Sequence, residues 1–184
     1  RDRLRSRGLG DVYKRQLGYG LAAPDNDLTL PDIAALCDVF YIGGTKVGAL
    51  FGEAVVIKNP ELAQDFRYII KQNGGMLAKG RLLGLQFDAL FTDGLYQEIS
   101  AHAIAMAEKL REAFTAKGYT YLAPNRTNQI FVIVPDAHLA KISEQFEYSY
   151  DQRIDATHSC VRFCTGWATK EENVDALIRC VEKL

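Results

Sequence analysis

Gly43-Gly44-Thr45-Lys46-Val47-Gly48-Ala49-Leu50-Phe51-Gly52-Glu53-Ala54 sets one lysine in a turn bracketed by glycines. Before it runs Val39-Phe40-Tyr41-Ile42-Gly43, and after it Glu53-Ala54-Val55-Val56-Ile57, both short, apolar and β-rich. Strands buried in an α/β sheet have this texture, apolar on both faces and separated by tight loops. The glycines permit positive φ angles and close approach of the backbone to a ligand. A lysine held there, beside a buried sheet, is expected to lose part of its hydration. Burial lowers an ammonium pKa from about 10.4 towards roughly 7–8, which makes the amine nucleophilic and fit to form a Schiff base. A phosphate-binding P-loop would need Ser or Thr after the lysine, and Val47 stands there. Spacing alone leaves a solvated loop lysine as the commoner reading.

Working outward, Gly18 to Asp27 is loop-like, rich in Gly, Pro, Asn and Asp. Thr29-Leu30-Pro31-Asp32 starts a short helix capped by Thr29 or Asp27, with Pro31 in its first turn. Asn59 caps a helix predicted over Pro60 to Lys71, and Asn73-Gly74-Gly75 breaks it. Two further helices, Lys79 to Phe91 and Leu95 to Lys117, are parted by Asp93-Gly94. In the second, Ile99, Ala103, Met106, Leu110, Ala113 and Phe114 repeat at helical spacing, a stripe that reads as core packing. Beyond Gly118 the texture changes to α+β. Strands are predicted at Tyr119 to Leu122, Gln129 to Val134 and Ser159 to Thr165, and a helix at Asp136 to Phe146. A last helix, Glu171 to Leu184, carries a capping box of Thr169 and Glu172.

The 184 residues are 48% hydrophobic and 24% charged, with a formal net charge of -1. That balance argues against a nucleic-acid binder, and no apolar run approaches the roughly 18 residues of a membrane span. Cys37, Cys160, Cys164 and Cys180 show neither a CxxC pair nor zinc spacing, so they read as free thiols in a reducing, cytoplasmic setting, and no metal is expected. Residues 1–16 carry six basic and two acidic side chains, a balance of +4 that leaves -5 for the rest. This Arg-rich stretch has little serine and no amphipathic stripe, so neither a nucleic-acid arm nor a transit peptide fits it well. It is read as a non-native leader, with the true protein beginning near Leu17.

The run from Leu17 to Ile57, LGYGLAAPDNDLTLPDIAALCDVFYIGGTKVGALFGEAVVI, resembles the segment around the cofactor lysine in low-specificity threonine aldolases, of the β-eliminating lyase group. In that family a Gly-Thr-Lys turn carries the lysine joined to pyridoxal 5'-phosphate, and the likeness extends to Leu184. The resemblance implies an α/β, fold-type I enzyme of which this chain is the C-terminal part. Residues 17–117 would end the large cofactor-binding domain, connecting helix included, and 118–184 would form a small α+β domain. The implied activity is a lyase reaction that breaks the Cα–Cβ bond of threonine or allo-threonine, giving glycine and acetaldehyde. Alternatives are a β-eliminating lyase or another fold-type I enzyme acting on a small amino acid, or a non-catalytic piece that only supports assembly. Partners would be a small amino-acid substrate and, in the intact protein, further copies in a homodimer or homotetramer.

By the same resemblance Lys46 is the catalytic, cofactor-linking amine, and Arg162 grips the substrate carboxylate with its bidentate fork. Read without it, Arg162 sits in an apolar strand, where it needs an anionic partner or a structural salt bridge. Thr45 either touches the cofactor phosphate or caps the turn. Lys79 and Arg81, after Gly74-Gly75-Met76, resemble basic residues near the phosphate of a neighbouring subunit, and read equally as solvated charges. His102 reads as a surface or packing residue and His138 sits near a helix start, while His158 could line the site. The family's Asp-Gly-Ala-Arg motif would fall with its aspartate at Tyr13 and its arginine at Gln16, and Asp11 is out of register. The chain as written is therefore expected to bind cofactor poorly and not to catalyse, unlike the intact protein.

Overall fold

A computed structural model describes residues 17–184; the leader reading, Tyr13, Gln16 and Asp11 lie outside these. The chain forms two compact units, one holding 26–99 with 17–21, the other 100–184 with 22–25.

The first unit opens with α1 (Leu17–Leu21), a short helix where loop was expected. α2 (Leu30–Leu36) starts as predicted: Thr29 caps it, and Thr29 with Asp32 makes a reciprocal capping box. β1 (Val39–Gly43) and β2 (Glu53–Ile57) pair antiparallel, from Val39 opposite Ile57 to Gly43 opposite Glu53. They are not buried on both faces. Val39, Tyr41 and Val55 are exposed, whereas Ile42 is buried, so the described residues cover only one face of this two-stranded ribbon. The packed face meets Val47, Leu90 and Tyr96 in a small core.

The helix predicted from Pro60 divides into α3 (Pro60–Ala63), capped by Asn59, and α4 (Phe66–Gln72). Asp65 separates them in the left-handed region at φ 56°, which an aspartate tolerates better than most residues. α5 (Arg81–Phe91) follows, then a 3-10 turn (Thr92–Gly94) in which Asp93 is left-handed, then α6 (Leu95–Ala116). Lys79 lies in the turn before α5 rather than in the helix.

The second unit is a four-stranded antiparallel sheet in the order β3-β4-β6-β5, with β3 (Thr120–Tyr121), β4 (Gln129–Pro135), β5 (Ser149–Arg153) and β6 (His158–Cys164). Strand alternation decides its faces. Ile130, Val132 and Val134 of β4 and Val161 and Phe163 of β6 turn inward onto the stripe of α6, where Met106, Leu110 and Phe114 are buried. α7 (Asp136–Ile142) and α8 (Glu171–Glu182) complete this core through Leu139, Ile142, Leu177 and Val181.

Two details differ from expectation. α8 is entered from Lys170 without a side-chain cap, because the Thr169 hydroxyl accepts from the Gly166 N–H at 2.8 Å instead. β5 had no sequence signal: all five of its residues are exposed, so it lacks the apolar alternation that marks a strand. None of the four cysteines forms a disulfide among the described residues. Among the described residues no helix is long and apolar enough to cross a membrane.

Candidate active site

The lysine turn closes the β1–β2 ladder. The Gly44 carbonyl accepts from Val47 N–H at 2.9 Å and from Ala49 N–H at 3.0 Å, folding 44–49 onto itself. Val47 is the plug: its side chain is fully buried, and Ala49 follows it inward. A Cβ at Gly44 would stand 2.7 Å from Ala49 Cβ and 2.9 Å from the Phe87 ring, so only glycine lets the turn sit this close to α5. Gly52, at φ +93°, reverses the chain into β2, and a side chain there would collide with Leu83.

With Val47 in the core, Thr45 and Lys46 stand at the crest and are exposed. The expected partial dehydration of Lys46 is therefore not found in the described chain, because the buried position next to the sheet belongs to its neighbour. What the fold supplies is a fixed backbone under a free amine. Among the described residues no carboxylate pairs with Lys46, and its nitrogen makes no hydrogen bond. The Thr45 hydroxyl is not the cap of this turn; the Gly44 carbonyl does that work.

Side chains from three elements reach the turn's backbone. The Tyr19 hydroxyl donates to the Lys46 carbonyl. Tyr96 OH donates to the Gly43 carbonyl at 3.4 Å, and Gln86 Oε1 accepts from the N–H groups of Leu50 at 2.6 Å and Phe51 at 3.3 Å. Sequence reading missed all three, since a tyrosine in a helix and a glutamine in an amphipathic pattern carry no signal of a distant backbone partner. Burial pushes the Tyr96 hydroxyl up to about 12. Lys79 and Arg81 precede the part of α5 that packs on the turn; both are exposed and unpaired among the described residues.

Arg162 belongs to the second unit, at the middle of β6, opposite Phe131 on one side and Ser149 on the other. Its guanidinium lies 5.9 Å from the Phe131 ring centroid, and one terminal nitrogen donates to Gln129 Oε1 at 3.3 Å. Nε is buried without a partner. The alternative of a structural salt bridge is not realised: among the described residues no carboxylate lies within ion-pair distance of it. Arg162 lines a cavity of about 380 Å³ with Glu147, Tyr148, Ser149, Thr165 and Asn173. An arginine so placed, with one donor desolvated and no counter-charge, is suited to bind an anion. The Thr165 hydroxyl, bonded to the Ala103 carbonyl at 2.6 Å, fixes the end of β6 beside it, and Asn128 holds the Thr165 carbonyl at 2.7 Å.

The histidines lie elsewhere. His102 bonds the Thr169 carbonyl at 2.8 Å, and His138 bonds Tyr119 OH at 2.7 Å. His158 pairs with Asp155 and lines a different cavity, together with His138, not the one that holds Arg162.

No family model matches the chain. It is 30% identical over 141 residues to the low specificity L-threonine aldolase of a Pseudomonas species, covering 76% of this chain and 40% of that protein. The Pseudomonas aeruginosa low specificity L-threonine aldolase is 29% identical over 143 residues, 77% of this chain and 40% of its own length. The Leishmania major threonine aldolase structure superposes with a TM-score of 0.88 at 38% identity, covering 92% of this chain and 49% of that one. In sequence and in backbone the chain is similar to threonine aldolases. It spans under half the length of the threonine aldolases it matches. A Sphingomonas wittichii serine palmitoyltransferase, at a TM-score of 0.56 and 15% identity over 81% of this chain and 40% of that one, shares the fold alone. The α/β fold of this threonine aldolase relative is thus that of the fold-type I pyridoxal-phosphate enzymes.

Proposed function

We propose that the protein is a pyridoxal-phosphate-dependent lyase that splits threonine or allo-threonine between Cα and Cβ into glycine and acetaldehyde. Its likeness to threonine aldolases in sequence and in backbone carries this reading. The residues present fit the cofactor: Lys46 offers an amine with no competing carboxylate among the described residues, on a backbone fixed by buried neighbours. When bound, pyridoxal phosphate supplies an aldehyde for that amine and a ring that takes up the electron pair left at Cα.

Within this reading Lys46 holds the cofactor, Thr45 offers its hydroxyl to the phosphate, and Lys79 and Arg81 stand near the cofactor phosphate of a neighbouring subunit. Arg162 takes the substrate carboxylate, offering the unpaired Nε edge of its guanidinium. Exposure of Lys46 adds a condition. The amine stands in open water, so in the active protein a further surface covers the turn. We assign that role to the assembled enzyme, a homodimer or homotetramer, with 118–184 as its small domain.

The test uses the full-length protein with pyridoxal phosphate. A visible cofactor band is expected that Lys46→Ala abolishes, together with glycine and acetaldehyde release from threonine. Arg162→Gln should raise KM about 10–100-fold, the loss of one charge-assisted hydrogen bond, with the band intact. A wild-type protein without the band sinks the reading; deamination of serine or cysteine without threonine cleavage replaces it with β-elimination.

A further inference from the structure

We infer that Tyr19, Tyr96 and Gln86 are positioning residues that clamp the Lys46 turn from three sides; their effect on the cofactor amine rests on the function proposed above, whereas the backbone restraint does not.

A lysine at the crest of an exposed turn has four side-chain torsions to lose, so its Cα is the only part the fold can place in advance. The clamp acts there. Tyr19, from α1 and only 2% exposed, donates to the carbonyl of Lys46 itself. Tyr96, at the start of α6 and fully buried, donates to the Gly43 carbonyl where β1 ends. Gln86, on α5, accepts from Leu50 and Phe51 where the turn runs back towards β2. Its amide is oriented by its own Nε2, which donates to the Leu82 carbonyl at 3.0 Å, so the oxygen is left facing the turn.

The bonds divide the work. Val47 and the Gly44 carbonyl shape the turn internally, but neither ties it to a helix other than by packing. Tyr19, Tyr96 and Gln86 bond it to α1, α6 and α5 at the lysine, before it and after it. A phenylalanine at 19 or 96 would fill the same space, so packing alone does not require either hydroxyl. Tyr96 remains a donor through the whole working range, because burial pushes it to about 12.

The experiment compares Tyr19→Phe, Tyr96→Phe, Gln86→Leu and Gln86→Glu with the wild type in the full-length protein. Amide hydrogen exchange of residues 44–51 is read first, with no cofactor present. Tyr19→Phe and Gln86→Leu should each speed that exchange about five-fold, the scale of one ordinary hydrogen bond, while β4 and β6 are unchanged. Tyr96→Phe, whose bond is long, should have a smaller effect, and Gln86→Glu, which keeps the acceptor, should restore protection. The second readout is the rate at which Lys46 is trapped by borohydride in the presence of pyridoxal phosphate. It should fall in Tyr19→Phe and Gln86→Leu, and kcat should fall with KM unchanged. Unaltered exchange at 44–51 in both variants overturns the clamp, as does a rise spread evenly over the protein with a lower Tm. If Tyr19→Phe fails to fold, Gln86→Leu against Gln86→Glu decides, since that side chain lies at the edge of the core. A wild type without Lys46-dependent trapping refutes the proposed function, and the exchange arm still judges the clamp.

Discussion

The two units differ in how much of their apolar surface they use. Among the described residues the second unit buries a continuous core between its sheet and three helices, in which Phe114, Ile130, Val161 and Val181 are almost wholly removed from water. The first unit gathers five buried residues around the lysine turn. Exposed large apolar side chains follow the opposite distribution. Leu122, Tyr150, Ile154 and Trp167 are those of the second unit, and all the others lie in the first, with Leu36, Leu50 and Tyr68 each at least 74% exposed. A two-stranded ribbon with one covered face is marginal in water, and contiguous bare apolar surface marks a place of contact. The second unit thus resembles a finished domain. The first, which presents Lys46, has a scaffold in place and a face still to be covered.

That comparison is broken most directly by separating the units. Residues 100–184 are expected to melt cooperatively and to protect β4 and β6 amides in hydrogen exchange. Residues 17–99 alone should bind a hydrophobic dye and aggregate; a cooperative melt of that piece and none of the other would reverse the comparison. A smaller effect, still large for one side chain, is expected at the second core. Phe114→Ala should cost about 3–5 kcal/mol in denaturant unfolding, whereas Leu85→Ala, exposed on α5, should stay within about 0.5 kcal/mol. Equal losses at the two positions would mean that Leu85 is covered in solution.

The least effect belongs to Asp155. Its carboxyl is held at about 2, first by the Thr157 N–H and next by His158. A carboxyl depressed on folding stabilises the native state above its unfolded value near 3.9, and the contribution is lost as pH falls through the folded value. Asp155→Asn should therefore lower Tm slightly at pH 7, where the contribution is fully present, flatten the fall in Tm between about pH 4 and pH 2, and leave Tm near pH 2 unchanged. The group is exposed, so the change is small.

Where local chemistry is self-contained, the elements are legible in the sequence. Thr29 and Asp32 cap α2 within four residues, Asn59 caps α3, and the stripe on α6 is buried where the 3.6 period puts it. Expectations fail where another backbone group competes for a side chain or one residue leaves the helical region. Thr169 has the right spacing to cap α8 and is taken by Gly166, while Asp65 splits a helix whose composition is continuous. β5 is held only by pairing to β6, so its own residues carry no trace of it.

The same limit governs the site. The glycines around Lys46 announce a tight turn correctly, but not which of its residues faces inward. Val47 wins that place by being apolar, and the lysine is left outside. At Arg162 the strand placed it on the sheet, whereas the unpartnered Nε depends on what Gln129, Phe131 and the cavity wall fail to supply.

The open sides of the second sheet carry a consequence of their own. β3 is two residues long, and β5 at the opposite edge is wholly exposed, bears Asp151 and Arg153, and is kinked by an irregular register between Tyr150 and Gln152. A short flank and a charged, bent one are poor templates for an incoming strand. Recruitment of neighbours by backbone ladder is thereby discouraged, which steers self-association of this lobe away from fibril-like growth and towards side-chain docking.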